Sequence, residues 1–117
     1  MFGIKSAVEG IVKAMRSERN LRVQIVMAVL VLVSGWVCGI SRTEWLIIVL
    51  HIGLVLSFEC LNTFVEYLCD LVHPDFSHRV KYVKDVAAGA VLIVAVSALV
   101  SGILIFYPYV WRMLEAM

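Results

Sequence analysis

The sequence predicts an all-α integral membrane protein: an N-terminal amphipathic surface helix followed by three transmembrane helices. Three observations carry this expectation. Of the 117 residues, 62% are hydrophobic and only 16% charged, with a mean hydropathy of +0.97, whereas a soluble domain is nearer half apolar and a quarter charged. Apolar runs long enough to cross a bilayer recur three times, separated by short polar turns. The first 20 residues instead interleave apolar and charged positions at helical spacing. The length fits a single domain, residues 1–117, with no separate soluble module.

Residues 1–20 read as the surface helix. Ile4, Ala7, Val8, Ile11, Val12 and Met15 recur at three- and four-residue steps, with Lys5, Glu9, Lys13 and Arg16 on the other side. A basic amphipathic helix of this kind fits the membrane plane; packing on a protein surface is the duller alternative. Residues 23–40 form the first span, 18 residues, about 27 Å at helical rise. The polar turn Ser41-Arg-Thr-Glu44 follows, with Thr43 as a candidate N-cap. The second helix covers 44–72, roughly 43 Å and longer than the hydrocarbon core. Pro74 closes it, and the third helix covers 78–107, uncharged from Val86 onward.

Basic residues orient the spans. Lys5, Lys13, Arg16, Arg19, Arg22, Arg79, Lys81 and Lys84 fall on one side, against Arg42 and Arg112 on the other. The N-terminus and the loop between spans two and three are therefore expected in the cytoplasm. Trp45, Tyr107, Tyr109 and Trp111 then form an outer aromatic belt. Cys38, Cys60 and Cys69 lack metal-ligand spacing and read as small apolar side chains.

The polar exception lies inside the second span. Glu59, Asn62, Glu66 and Asp70 fall within about 80° of one another on a helix, with Thr63 on the same face. A mid-membrane carboxylate costs roughly 3 kcal/mol on insertion scales, so such groups mark functional sites by default. Ser17-Glu-Arg-Asn20, the loop 73–78 and Lys84-Asp85 lie at the same interface. These residue types suit phosphoryl transfer. Mg²⁺ is usually held by one or two carboxylates plus phosphate oxygens, for which Glu18 and Glu66 are candidates. Lys84 offers a point charge to phosphate. Glu59, the deepest carboxylate, is placed to take a proton from a lipid hydroxyl, with Asn62 one turn away to orient it. The sequence has no P-loop, dinucleotide fingerprint or protein-kinase catalytic loop. The same stripe also fits hydrogen-bonding glue between helices or a proton path. A non-enzymatic small channel or proton-conducting oligomer is thus the alternative reading. Either way, three helices cannot shield so many polar groups from lipid, and an assembly is expected.

The segment Phe58-Glu-Cys-Leu-Asn-Thr-Phe-Val-Glu-Tyr-Leu-Cys-Asp70, a short Pro-containing turn and Lys84-Asp-Val-Ala-Ala-Gly-Ala-Val-Leu92 together resemble the signature of the prokaryotic diacylglycerol kinase and undecaprenol kinase family. Glu18-Arg-Asn20 matches the segment preceding the first span of that family. The resemblance implies a homotrimer in the bacterial cytoplasmic membrane that transfers the γ-phosphate of MgATP to a membrane lipid alcohol, undecaprenol or diacylglycerol. The partners implied are ATP, the bilayer and its lipid alcohol, with no nucleic acid. By position, Glu59 resembles the general base, and Glu18 and Glu66 the metal–nucleotide ligands. Asn62, Lys84 and Asp85 resemble phosphate or nucleotide contacts, and Asp70 and Thr63 more peripheral or substrate-side positions. Two departures stand out. Gln24 occupies a place where undecaprenol-type relatives often carry His, and Phe64–Val65 replaces smaller residues.

Overall fold

A computed structural model describes residues 3–117 as four α-helices. They are α1 (Ile4–Ser17), α2 (Arg19–Cys38), α3 (Arg42–Val72) and α4 (His78–Ala116). The expected start of the first helix at residue 1 lies outside the described residues. Three helices, α2, α3 and α4, are long and apolar enough to cross a membrane.

The break between α1 and α2 falls on Glu18, whose backbone is extended (φ −112°, ψ 113°). Arg22 fixes this corner. Its Nη1 donates to the carbonyls of Met15 and Arg16 at 2.9 and 2.8 Å, which the end of α1 would otherwise leave without helical partners. Leu21, 1% exposed, is buried at the corner. Helix α2 consequently begins at Arg19, ahead of the expected apolar boundary at Val23, because the corner rather than the start of the apolar run sets the helix start.

Gly39 ends α2 in the left-handed region, φ 64°, which only glycine enters at little cost. That turn lets the Ile40 N–H reach back to the Gly35 carbonyl at 3.2 Å, the Schellman closure of a helix. Ser41, not Thr43, caps α3. Its Oγ accepts from the Glu44 N–H at 3.2 Å, and its own N–H donates to Glu44 Oε1 at 2.9 Å. The reciprocal capping box satisfies two backbone donors where Thr43 alone would satisfy one. Helix α3 ends at Val72 ahead of Pro74, as expected. Ser77 then caps α4 by accepting from the Arg79 N–H.

Helix α4 does not stop at Tyr107. It continues through Pro108 to Ala116. Beyond the proline, Tyr109 is tied to Glu44 of α3, and Arg112 donates to the Pro108 carbonyl. These contacts hold the last turns helical despite the missing N–H. At 39 residues α4 spans about 58 Å, which accounts for the 58 Å long axis of the molecule.

Helices α3 and α4 pack along much of their length, and α2 leans on α3 while touching α4 only briefly. Close approach of α2 to the start of α3 depends on Gly35, where an added Cβ would lie 2.9 Å from the ring of Trp45. The apolar core sits at this end of the bundle, formed by Ile40, Ile48 and Ile105. Most other large apolar side chains, Met27, Leu30, Leu50 and Ile93 among them, are exposed along the spans. This is the surface of helices solvated by hydrocarbon or by other helices.

Candidate active site

Glu59 is the sole buried charged side chain among the described residues, 3% exposed. It lies on α3 beside α2, and its Oε2 accepts a hydrogen bond from Gln24 Nε2 at 3.3 Å. The charges of Glu66 and Glu18 both act on it. Glu66 stands two turns along α3 and accepts from Asn62 Nδ2 at 3.5 Å. Glu18 comes from the α1–α2 corner that Arg22 holds. Glu59, Asn62 and Glu66 thus share one face of α3, as the helical periodicity predicts, and Glu18 at the α1–α2 corner lies near enough for its charge to bear on Glu59.

The remaining candidates are arranged differently. Lys84 Nζ pairs with Asp70 Oδ1 at 2.6 Å, linking α4 to the last turns of α3. The negative charge of Glu66 also bears on Lys84, though less than that of Asp70. Asp70, expected as a peripheral position, is thus the ion-pair partner of Lys84. Asp85 pairs with Lys81 one turn back, both side chains about 60% exposed, and no hydrogen bond joins it to the Glu59 cluster. Thr63 turns inward on its own helix, with Oγ1 donating to the Glu59 carbonyl at 3.0 Å.

An apolar groove of about 440 Å³ opens between α2, α3 and α4, with Met27, Val31, Ile52, Leu56, Leu99 and Phe106 among its walls. Gln24, His51 and Ser101 are its polar members. His51 finds the local partner expected of a histidine in a span. Its Nδ1 lies 2.9 Å from the Ile47 carbonyl and its Nε2 3.1 Å from Ser97 Oγ. A carbonyl only accepts, so Nδ1 carries a proton, and in the neutral ring Nε2 accepts from the serine. The pair ties α3 to α4. Gln24 is the residue that sequence reasoning left out of the site: it registered as a departure from a family pattern, without a role.

Two buried polar atoms in this region have no hydrogen-bond partner, Gln24 Oε1 and Asn62 Oδ1. Among the described residues no three His, Cys, Asp or Glu side chains gather as a ready metal cage. Two carboxylates beside a free amide oxygen are the partial oxygen set that fits a Mg²⁺ arriving on phosphate oxygens. The three cysteines are free and half-buried within helices.

Comparison with known proteins gives this geometry a family. Residues 5–106, which include every candidate above, match the family described as prokaryotic diacylglycerol kinase. The chain is 41% identical over 102 residues to a Bacillus subtilis undecaprenol kinase, covering 87% of this chain and 83% of that protein. It is 29% identical over 109 residues to a Synechocystis diacylglycerol kinase, covering 92% of this chain and 62% of that protein. With three helices fit to span a bilayer and a carboxylate buried within one of them, the chain belongs to the prokaryotic diacylglycerol kinase family and is a multi-pass membrane lipid kinase.

Proposed function

We propose that the protein transfers the γ-phosphate of MgATP to the hydroxyl of a membrane lipid alcohol at the cytoplasmic face of the bacterial inner membrane, with undecaprenol favoured over diacylglycerol. The preference is supported by the higher identity and fuller coverage of the undecaprenol kinase relative. The observation that carries the reaction is Glu59: a buried carboxylate in a spanning helix, flanked by two further carboxylates and facing α2.

In this reading Glu59 accepts the proton of the lipid hydroxyl. The lipid oxygen attacks the γ-phosphorus, the bond to the β–γ bridging oxygen breaks, and ADP leaves with that electron pair. Phosphoryl transfer asks a protein mainly for positioning and charge. Lys84, aimed by Asp70, supplies positive charge to the phosphates. Asn62 and Asp85 contact the nucleotide, Asp85 by exchanging its lysine. Glu18 and Glu66 would hold Mg²⁺, which neutralises phosphate charge when bound. Thr63 steadies the backbone that carries Glu59. Helix α1 lies in the membrane surface, its exposed Ile4, Val8 and Ile11 toward lipid. Three chains associate to cover the half-buried Asn62 and Glu66.

The test is transfer of label from γ-labelled ATP into chloroform-extractable lipid, with undecaprenol and diacylglycerol side by side in one bilayer. Wild type is expected to require Mg²⁺ and to label undecaprenol faster. Glu59→Gln is expected to lose about 10²–10⁴-fold in turnover, the usual worth of a general base, while remaining folded. A Glu59→Gln protein that turns over normally refutes the role given to Glu59, and labelling of diacylglycerol alone refutes the substrate preference.

A further inference from the structure

Gln24 faces two ways. Its Nε2 donates to Glu59 Oε2 at 3.3 Å, and its Oε1 is buried without a hydrogen-bond donor, while the side chain lines the apolar groove between α2, α3 and α4. Among the described residues it is the one side chain hydrogen-bonded to the Glu59 carboxylate. Other polar neighbours are committed elsewhere or unsuited. Asn62 Nδ2 is directed to Glu66, and the Thr63 hydroxyl to a backbone carbonyl. Glu18 and Glu66, when ionised, only accept.

An ionised carboxylate accepts hydrogen bonds only, whereas the protonated acid must also donate one. A partner serving both states therefore needs a donor and an acceptor at the same reach. A glutamine amide has both, exchanged by turning the amide plane over. We propose that Gln24 is a positioning residue for the phosphoryl transfer. It donates to Glu59 before the lipid proton arrives and, with its amide reversed, accepts the O–H of Glu59 afterwards. The inference rests on Glu59 being the base. In atoms, the lipid O–H bond breaks, its proton joins a Glu59 carboxylate oxygen, and the lipid oxygen bonds to the γ-phosphorus as ADP departs with the β–γ bridging electron pair. Gln24 exchanges no atoms. By receiving the new O–H it keeps the proton directed away from the lipid oxygen while the phosphorus–oxygen bond forms.

Full-length protein in lipid bilayers, assayed with MgATP and separately with undecaprenol and diacylglycerol, provides the test. Gln24→Met keeps the side-chain length and adds no polar group to the span, so insertion is preserved. Its kcat is expected to fall about ten- to a hundredfold, the cost of a misplaced reacting group, with KM for MgATP and lipid unchanged. Gln24→His is expected to stay within about threefold of wild-type kcat, because an imidazole nitrogen donates or accepts according to tautomer. Wild-type kcat in Gln24→Met overturns the proposal. So does a loss in both variants that tracks lowered resistance to unfolding, which marks a packing role. Glu59→Gln is run beside them. If it is inactive while Gln24→Met is not, only the role of Gln24 falls; if it is active, the underlying base assignment falls.

Discussion

Lys84 and Asp70 show how little a short ion pair says about stability and how much about aim. The lysine side chain is 32% exposed and the aspartate 67%, and pairs this open contribute little to folding. What the pair does is fix the position of a flexible ammonium at the α3–α4 junction. Asp70→Asn is therefore expected to leave the unfolding transition in place and raise KM for ATP about threefold, within the range of a neutral replacement at a charged hydrogen bond. Lys84→Met removes the charge itself and should raise it roughly ten- to a hundredfold. Steady-state kinetics beside a detergent unfolding curve separate the two effects, and a stability loss without a KM change would contradict them. The stripe Glu59, Asn62, Glu66 was legible in the sequence because one helical period encodes it. Gln24 was not, since a single amide in an apolar run has no period. Its meaning comes from a contact across 35 residues that only the crossing of α2 and α3 creates. Asp85 illustrates the reverse: its pairing with Lys81 is encoded by four-residue spacing on one helix.

At the scale of elements, the four helices followed from hydrophobic pattern, while their ends were decided by local chemistry. Ser41-x-x-Glu44 spells out the capping box in the sequence, and it sets the N-cap of α3 two residues ahead of Thr43. The break at Glu18 carries no glycine or proline, and the Arg22 contacts that stabilise it are tertiary. Continuation through Pro108 likewise depends on Tyr109 meeting Glu44, 65 residues away. The joint between α2 and α3 can be tested directly. A Cβ at position 35 would stand 2.9 Å from Trp45 Cη2 and 3.0 Å from Ile40 Cδ1. Gly35→Val is expected to cost about 1–3 kcal/mol by overpacking, read as an earlier unfolding transition in a denaturing-detergent titration. Gly53 lies mid-α3, where an added Cβ meets nothing within 4 Å. Gly53→Ala should be neutral or stabilise by up to about 1 kcal/mol from helix propensity. Equal effects at the two positions would mean that the close approach at Gly35 does not set the α2–α3 joint.

At the scale of the whole molecule, a chain with four buried apolar side chains among its described residues, Leu21, Ile40, Ile48 and Ile105, is mostly surface. Hydrocarbon solvates the apolar part of that surface, but not the flank of the stripe where Asn62 and Glu66 are half-buried. Association of copies is the remedy the membrane offers, and it raises the question of whether each site belongs to one chain. The internal geometry bears on this directly. Glu18, Gln24, Glu59 and Glu66 come together within a single copy, across the α1–α2 corner and α3. If each chain carries its own carboxylate set, two differently inactivated chains cannot rescue each other. Purified Glu18→Gln and Glu59→Gln proteins, dissociated, mixed and reassembled in one bilayer, are therefore expected to remain at the background of either variant alone. Reassembly of wild type with Glu59→Gln should give activity proportional to the wild-type fraction. Recovered turnover in the first mixture would mean that Glu18 serves a neighbouring chain's Glu59. The contact made inside one copy would then not be the one that performs the chemistry.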